Sequence, residues 1–156
     1  MRFRTSALAA WAMALAALAA PALQAADGTG AEEAAIRKLM LDTWDKPESP
    51  LTVAPVVVLG EHALAGWTQG PRGGRAMLTR AHRQWSVTLC AGDGLKDPRT
   101  LQLAGLSATE AEQLSRRLSD AEARMPAAER AKFSTFEGWV RMDTHGHPAA
   151  DHKHPD

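Results

Sequence analysis

Tyrosine is missing from this chain, and cysteine occurs once, as Cys90. A single cysteine makes no internal disulfide, so in an oxidising compartment the fold has to rest on packing. It also rules out a compact Cys-rich zinc cluster. Net charge is missing too, because 18 Lys and Arg face 18 Asp and Glu. That balance gives no general attraction for nucleic acid or for an anionic membrane surface. The long apolar run from Ala7 to Ala20 falls short of the roughly 18 residues a membrane span needs. No nucleophile elbow is present. The Gly-rich stretch Trp67–Gly74 is not followed by the Gly-Lys-Ser/Thr of a phosphate loop. It reads instead as a turn with Arg72 and Arg75 solvated. The sequence therefore reads as a non-enzyme.

The start of the chain has its own pattern. Arg2 and Arg4 precede the apolar run, and Pro21 leads into Ala22-Leu-Gln-Ala-Ala26. A basic start, an apolar stretch and a small-residue zone predict a secretory signal over residues 1–26, cleaved after Ala25 or Ala26. No cysteine stands near that zone to accept a lipid. The exported remainder of about 130 residues has the size of one domain, and the simplest destination is a bacterial periplasm. No membrane span is expected after cleavage. Losing Arg2 and Arg4 leaves 16 basic against 18 acidic residues.

Residues 27–31 read as a leader. From Glu32 to Trp44, apolar Ala35, Ile36, Leu39, Met40 and Trp44 recur at helical spacing, which predicts an amphipathic helix. Met40 and Trp44 could wall a soft-metal site, but on an apolar face the plainer expectation is core. Past Pro50 the period becomes two, and strands are expected at 52–59, 62–69, 74–81 and 84–91. Alternation in the last strand puts Trp85, Val87 and Leu89 on one face and Cys90 on the other, with Ser86 and Thr88. Leu101–Leu106 reads as an extended or turn segment. Ser107-Ala-Thr-Glu110 is a capping box that opens a helix over 108–124, and Pro126 ends it before a short helix over 127–133. Phe136 and Trp139 are expected to return to the body. The predicted fold class is α+β: one domain over 27–142, an antiparallel four-stranded meander packed against an N-terminal helix and C-terminal helices.

The middle of the chain is its most distinctive part. Pro55-Val-Val-Val58, Ala65-Gly-Trp67-Thr-Gln-Gly70, Gly73-Gly-Arg75-Ala-Met-Leu78 and the run from Trp85 to Asp93 come in close succession. Together they resemble the copper uptake system-associated proteins, a family of small exported bacterial proteins with a His-rich C-terminus. The resemblance covers roughly residues 32–142 and extends to the C-terminus. It implies a periplasmic accessory in copper acquisition, working with copper-transport or copper-chaperone proteins of the cell envelope. It brings no ligand set with it, so candidate ligands are chosen by their chemistry.

Those candidates gather at the end. His145, His147, His152 and His154 form two His-x-His pairs, with Met142 just before them. Gly146, Pro148 and Pro155 oppose regular structure, so residues 143–156 are expected to be a flexible tail that wraps a metal ion or, failing that, a solvated one. Neutral imidazole suits Cu(II), Zn(II) and Ni(II). Cys90 is either a Cu(I) ligand or a small buried hydrophobe. His62 and His82 are surface residues or partners of the tail. The leading expectation is a copper-binding protein that captures copper, as Cu(II) or Cu(I), and hands it on. The alternatives are a module that docks on a transporter or receptor, with metal binding incidental, and a zinc or nickel scavenger.

Overall fold

The structure, a computed structural model, describes residues 20–143 and 146–149, with side chains from Thr29 onward. Helix α1 (Ala20–Trp44) leads into strands β1 (Leu51–Leu59), β2 (His62–Gln69), β3 (Arg72–Ala81) and β4 (Gln84–Ala91). A 3-10 turn and helices α2 (Pro98–Leu103), α3 (Ala108–Ala123) and α4 (Ala127–Lys132) come next. A second 3-10 turn, Phe133–Thr135, precedes β5 (Trp139–Arg141). The strands form one antiparallel sheet in the order β1-β2-β3-β4-β5. The meander therefore has five strands rather than four. The fifth is only three residues long, too short to show an alternating pattern, and it pairs Trp139 with Ala91 and Val140 with Cys90.

Both faces of the sheet are covered, so its strands bury side chains on each side. On one face, Ile36 and Met40 of α1 meet Leu51, Val53, Val56, Ala63, Ala65, Ala76, Leu78 and Val87. On the other, Leu64, Met77, Leu89 and Ala91 meet Leu95, Leu101 and the α3 stripe Ala111, Leu114 and Leu118. The α3 residues recur at three and four positions, as a one-faced helix requires. Its capping box forms as expected: Glu110 N–H donates to Ser107 Oγ, and Ser107 N–H donates to Glu110 Oε2. The Glu110 carboxylate also accepts from the Ser107 hydroxyl (2.6 Å), and the bonds it accepts from the Ser107 side chain and then the Ser107 backbone lower its pKa.

Four local expectations give way. Residues 27–31 are not a leader but part of α1, which runs back to Ala20; alanines on both sides sustain the helix across Gly28 and Gly30. Residues 98–103 are helical, because Asp97 accepts from Arg99 N–H and Pro98 opens the first turn. The β2–β3 connection narrows to Gly70-Pro71. Arg75 is buried at 1% exposure, its guanidinium bridging Glu122 on α3 (2.6 and 2.8 Å) and Asp93 (3.1 Å) and lying over the Phe133 ring. A residue expected in solvent is an internal strut.

Bulges set which side chains reach which face. In β4, Leu89 pairs with Met77 but Val87 with Leu78, so Thr88 is an extra residue with no partner of its own. Trp85 and Val87 face α1, Leu89 and Ala91 face α3, and Cys90 returns to the α1 side. The expected division of that strand is thus corrected: Cys90 shares a face with Trp85 and Val87, not with Ser86 and Thr88.

Candidate functional site

The bulge delivers Cys90 into a cavity of about 240 Å³ at the end of the sheet where β1 begins and β2 and β4 end. Met40 and Trp44, one turn apart on α1, form one wall. Trp67 and Phe136 form another, ring edge to ring face at 5.9 Å and 85°. That pair needs Gly74 beneath it, because a Cβ there would lie 2.9 Å from Trp67 Cζ2 and 3.0 Å from Phe136 Cβ. Val140, Met142 and Pro148 complete the rim. Gln69 also lines the cavity; its Nε2 donates to the carbonyls of Trp44 (3.0 Å) and Ser49 (2.7 Å), tying the end of α1 to the sheet.

A turn closes over the rim. Met142 N–H donates to Thr88 O at the bulge, and Met142 bridges to Pro148. Asp143 N–H donates to His147 O (2.8 Å), and His147 N–H donates back to Asp143 Oδ1 (2.9 Å). Gly146 takes φ +77°, and a Cβ on it would lie 2.9 Å from Thr43 Cγ2 and 3.1 Å from Trp44 Cζ2. Only glycine combines that backbone with such an approach to the indole. Residues 146–149, expected within a flexible tail, thus fold back over the Met40–Trp44 wall, and the His147 side chain stays exposed.

The candidate ligands now divide. Met142 and Cys90, 52 residues apart in sequence, line one cavity. His147 stands on the turn above it, while His145, His152 and His154 lie outside the described residues. Met40 is core, as the apolar spacing implied, with 2% exposure, yet its side chain also reaches this cavity. His62 and His82 belong to the opposite end of the sheet: His62 pairs with Thr79, and His82 occupies the β3–β4 turn. His62 Nδ1 is buried 3.9 Å from Glu110 Oε1. No site shared between those two histidines and the tail turn forms among the described residues. Among the described residues, no three His, Cys, Asp or Glu side chains form a group that could hold a metal ion; the sulfur-bearing residues Met40, Cys90 and Met142 line one cavity. Sequence alone could not have joined Met40 to Cys90, because the junction depends on the bulge at Thr88.

No family model, no curated protein and no solved structure matches this chain.

Burial pushes the Cys90 thiol from 9.0 up to about 12, because a thiolate without a cation is poorly solvated there. The native thiol is therefore protonated and slow to react. Iodoacetamide at about pH 9 is expected to modify folded protein at least about tenfold more slowly than urea-unfolded protein, read by mass spectrometry. The linked stability term is present below pH 9 and is lost as pH rises through about 12, since only the unfolded chain gives up its proton in that window. Equal alkylation of folded and unfolded protein would show Cys90 to be solvated.

Proposed function

We propose that this chain is a periplasmic copper-binding accessory protein, which captures copper ions and hands them on within a copper uptake system. One observation supports the reading above the others: Met142 and Cys90 line a common cavity, and the chain passes from that cavity directly into the turn bearing His147. Imidazole on the tail suits Cu(II), and thioether and thiol behind it suit Cu(I). Met142 stands at the junction between the two donor types. The paired histidines His145/His147 and His152/His154 favour handover, since one pair can release an ion while the other holds it.

Imidazole binds metal only when neutral, so capture should weaken as pH falls. Titrating Cu(II) at about pH 7.5 and about pH 5.5, with and without residues 143–156, tests the proposal. The expected result is tight binding by the intact chain at the higher pH, weaker binding at the lower, and loss of binding on truncation. Equal binding by the truncated chain would remove the tail from the function. Parallel titrations with Zn(II) and Ni(II) decide between copper handling and a general scavenger.

A second reading, a module that docks on a transporter or receptor, has its own observation. Trp139 and Leu103 are 63% and 87% exposed and line a shared groove with Arg141, whose guanidinium lies 5.5 Å from the Trp139 ring centre. In that reading a partner co-purifies after loss of the tail and in the presence of chelator.

A further inference from the structure

We infer that the cavity beneath the tail turn is a Cu(I) site in its own right, with the sulfurs of Met40, Cys90 and Met142 as its donors. The inference rests on the copper-handling reading above and goes beyond it in two respects. It separates a soft internal site from the imidazoles of the tail, and it gives a metal role to Met40, a residue that counts otherwise as core.

Three observations carry it. First, the donor set is soft. Two thioethers and one thiol, from α1, β4 and the segment after β5, open into the same space of about 240 Å³. Thioether and thiolate donors select Cu(I) over the harder divalent ions. Methionine side chains have three rotatable bonds, so the two thioethers can swing toward an ion in a cavity larger than a bare metal needs. Second, the charge fits one oxidation state. Among the described residues, Cys90 is the only ionisable side chain lining the cavity, and an uncompensated charge in apolar surroundings is costly. A monovalent ion that replaces the thiol proton leaves a neutral centre, whereas a divalent ion leaves a net positive one with no carboxylate to offset it. Third, the walls can attract a cation. The indoles of Trp44 and Trp67 line the same space, and indole is the best of the aromatic faces for attracting a cation.

The binding step balances simply. The Cys90 S–H bond breaks, its proton passes to solvent, and a sulfur–copper bond forms. Copper enters and leaves as Cu(I), and no electron changes hands. The turn through Gly146 packs against Trp44, one of the residues that line this cavity.

The test is an anaerobic titration of the whole chain with Cu(I), buffered by bathocuproine disulfonate and monitored by quenching of tryptophan fluorescence. Cu(II) binding is measured alongside it. Four proteins are compared: wild type, Met40→Leu, Cys90→Ser, and a variant with His145, His147, His152 and His154 all replaced by alanine. Met40→Leu keeps the volume of a buried side chain and removes only its donor; its thermal midpoint checks that the fold is retained. Each sulfur variant is expected to lose about 100-fold in Cu(I) affinity, with the quench reduced and Cu(II) capture kept. The four-histidine variant is expected to lose Cu(II) capture while holding Cu(I). Unchanged Cu(I) affinity and quenching in both sulfur variants would overturn the inference and leave the tail reading standing. Cu(II) capture that survives loss of the histidines would overturn the tail reading and leave the inference standing.

Discussion

Replacing Glu122 with alanine should cost about 3–5 kcal/mol of folding stability, read as a lower urea midpoint with an unchanged slope. Arg75 is 1% exposed, and Glu122 occupies both arms of its guanidinium fork at 2.6 and 2.8 Å. Without that carboxylate, the remaining partner is Asp93 at 3.1 Å, which is 66% exposed and screened by water. A buried cation would be left with little compensation, and a domain of this size has only about 5–15 kcal/mol in total. Arg75→Ala should be comparably damaging, since Glu122 would keep only Lys96, 3.7 Å away. The double variant Arg75→Met with Glu122→Leu decides the cause. If the cost comes from stranding a charge, replacing both partners with apolar groups recovers most of it. If the double variant is as unstable as either single one, the strut acts through packing and the electrostatic account fails.

Gly92→Ala is expected to destabilise by about 3 kcal/mol, at the upper end for overpacking. A Cβ there would lie 2.4 Å from the carbonyl oxygen of Phe136 and 3.2 Å from that of Phe133. Both neighbours are backbone, so neither can turn aside as a side chain would. The segment is also pinned from the other side, where Gly73 N–H donates to Thr135 Oγ1 at 3.0 Å. Residues 133–136 would have to lift from the sheet and take Phe136 with them, opening the edge contact with Trp67 that walls the cavity. The measurement is a pair of melting curves joined to tryptophan emission, which should shift to the red as Trp67 becomes wetter. A variant that melts with wild type would show that the segment moves freely.

Much of this architecture can be read from residue pattern. Apolar spacing from Glu32 to Trp44 marks the part of α1 that packs on the sheet. Period two marks four of the strands to within two residues, and Ser107 with Glu110 marks the start of α3. These signals are local, so neighbouring residues suffice to see them. Other features are decided at a distance. Arg75 looks like a turn residue until Glu122, 47 positions later, arrives beside it. The turn at His82-Arg83 holds φ of 51° and 66°, values neither residue favours, because the paired strands on both sides fix the connection. The candidate site falls between these cases. Met142 and Cys90 stand out in sequence by chemical type, but their meeting does not. Met40 and Trp44 suggest a soft-metal wall by type, but their apolar spacing favours core, and the cavity they line is assembled from α1, β1, β2, β4, β5 and the segments around β5.

The bulge at Thr88 makes the placement of Cys90 a matter of parity. A strand counts its residues by twos, and one extra residue turns odd positions into even ones. Restoring strict alternation would move Cys90 out of the cavity. It would also turn Leu89 and Ala91, which are 8% and 2% exposed, away from the α3 layer they help to fill. The thiol is thus held at its post by two side chains on the far side of the sheet that never touch it. A register error that loses the sulfur from the cavity also breaks a core.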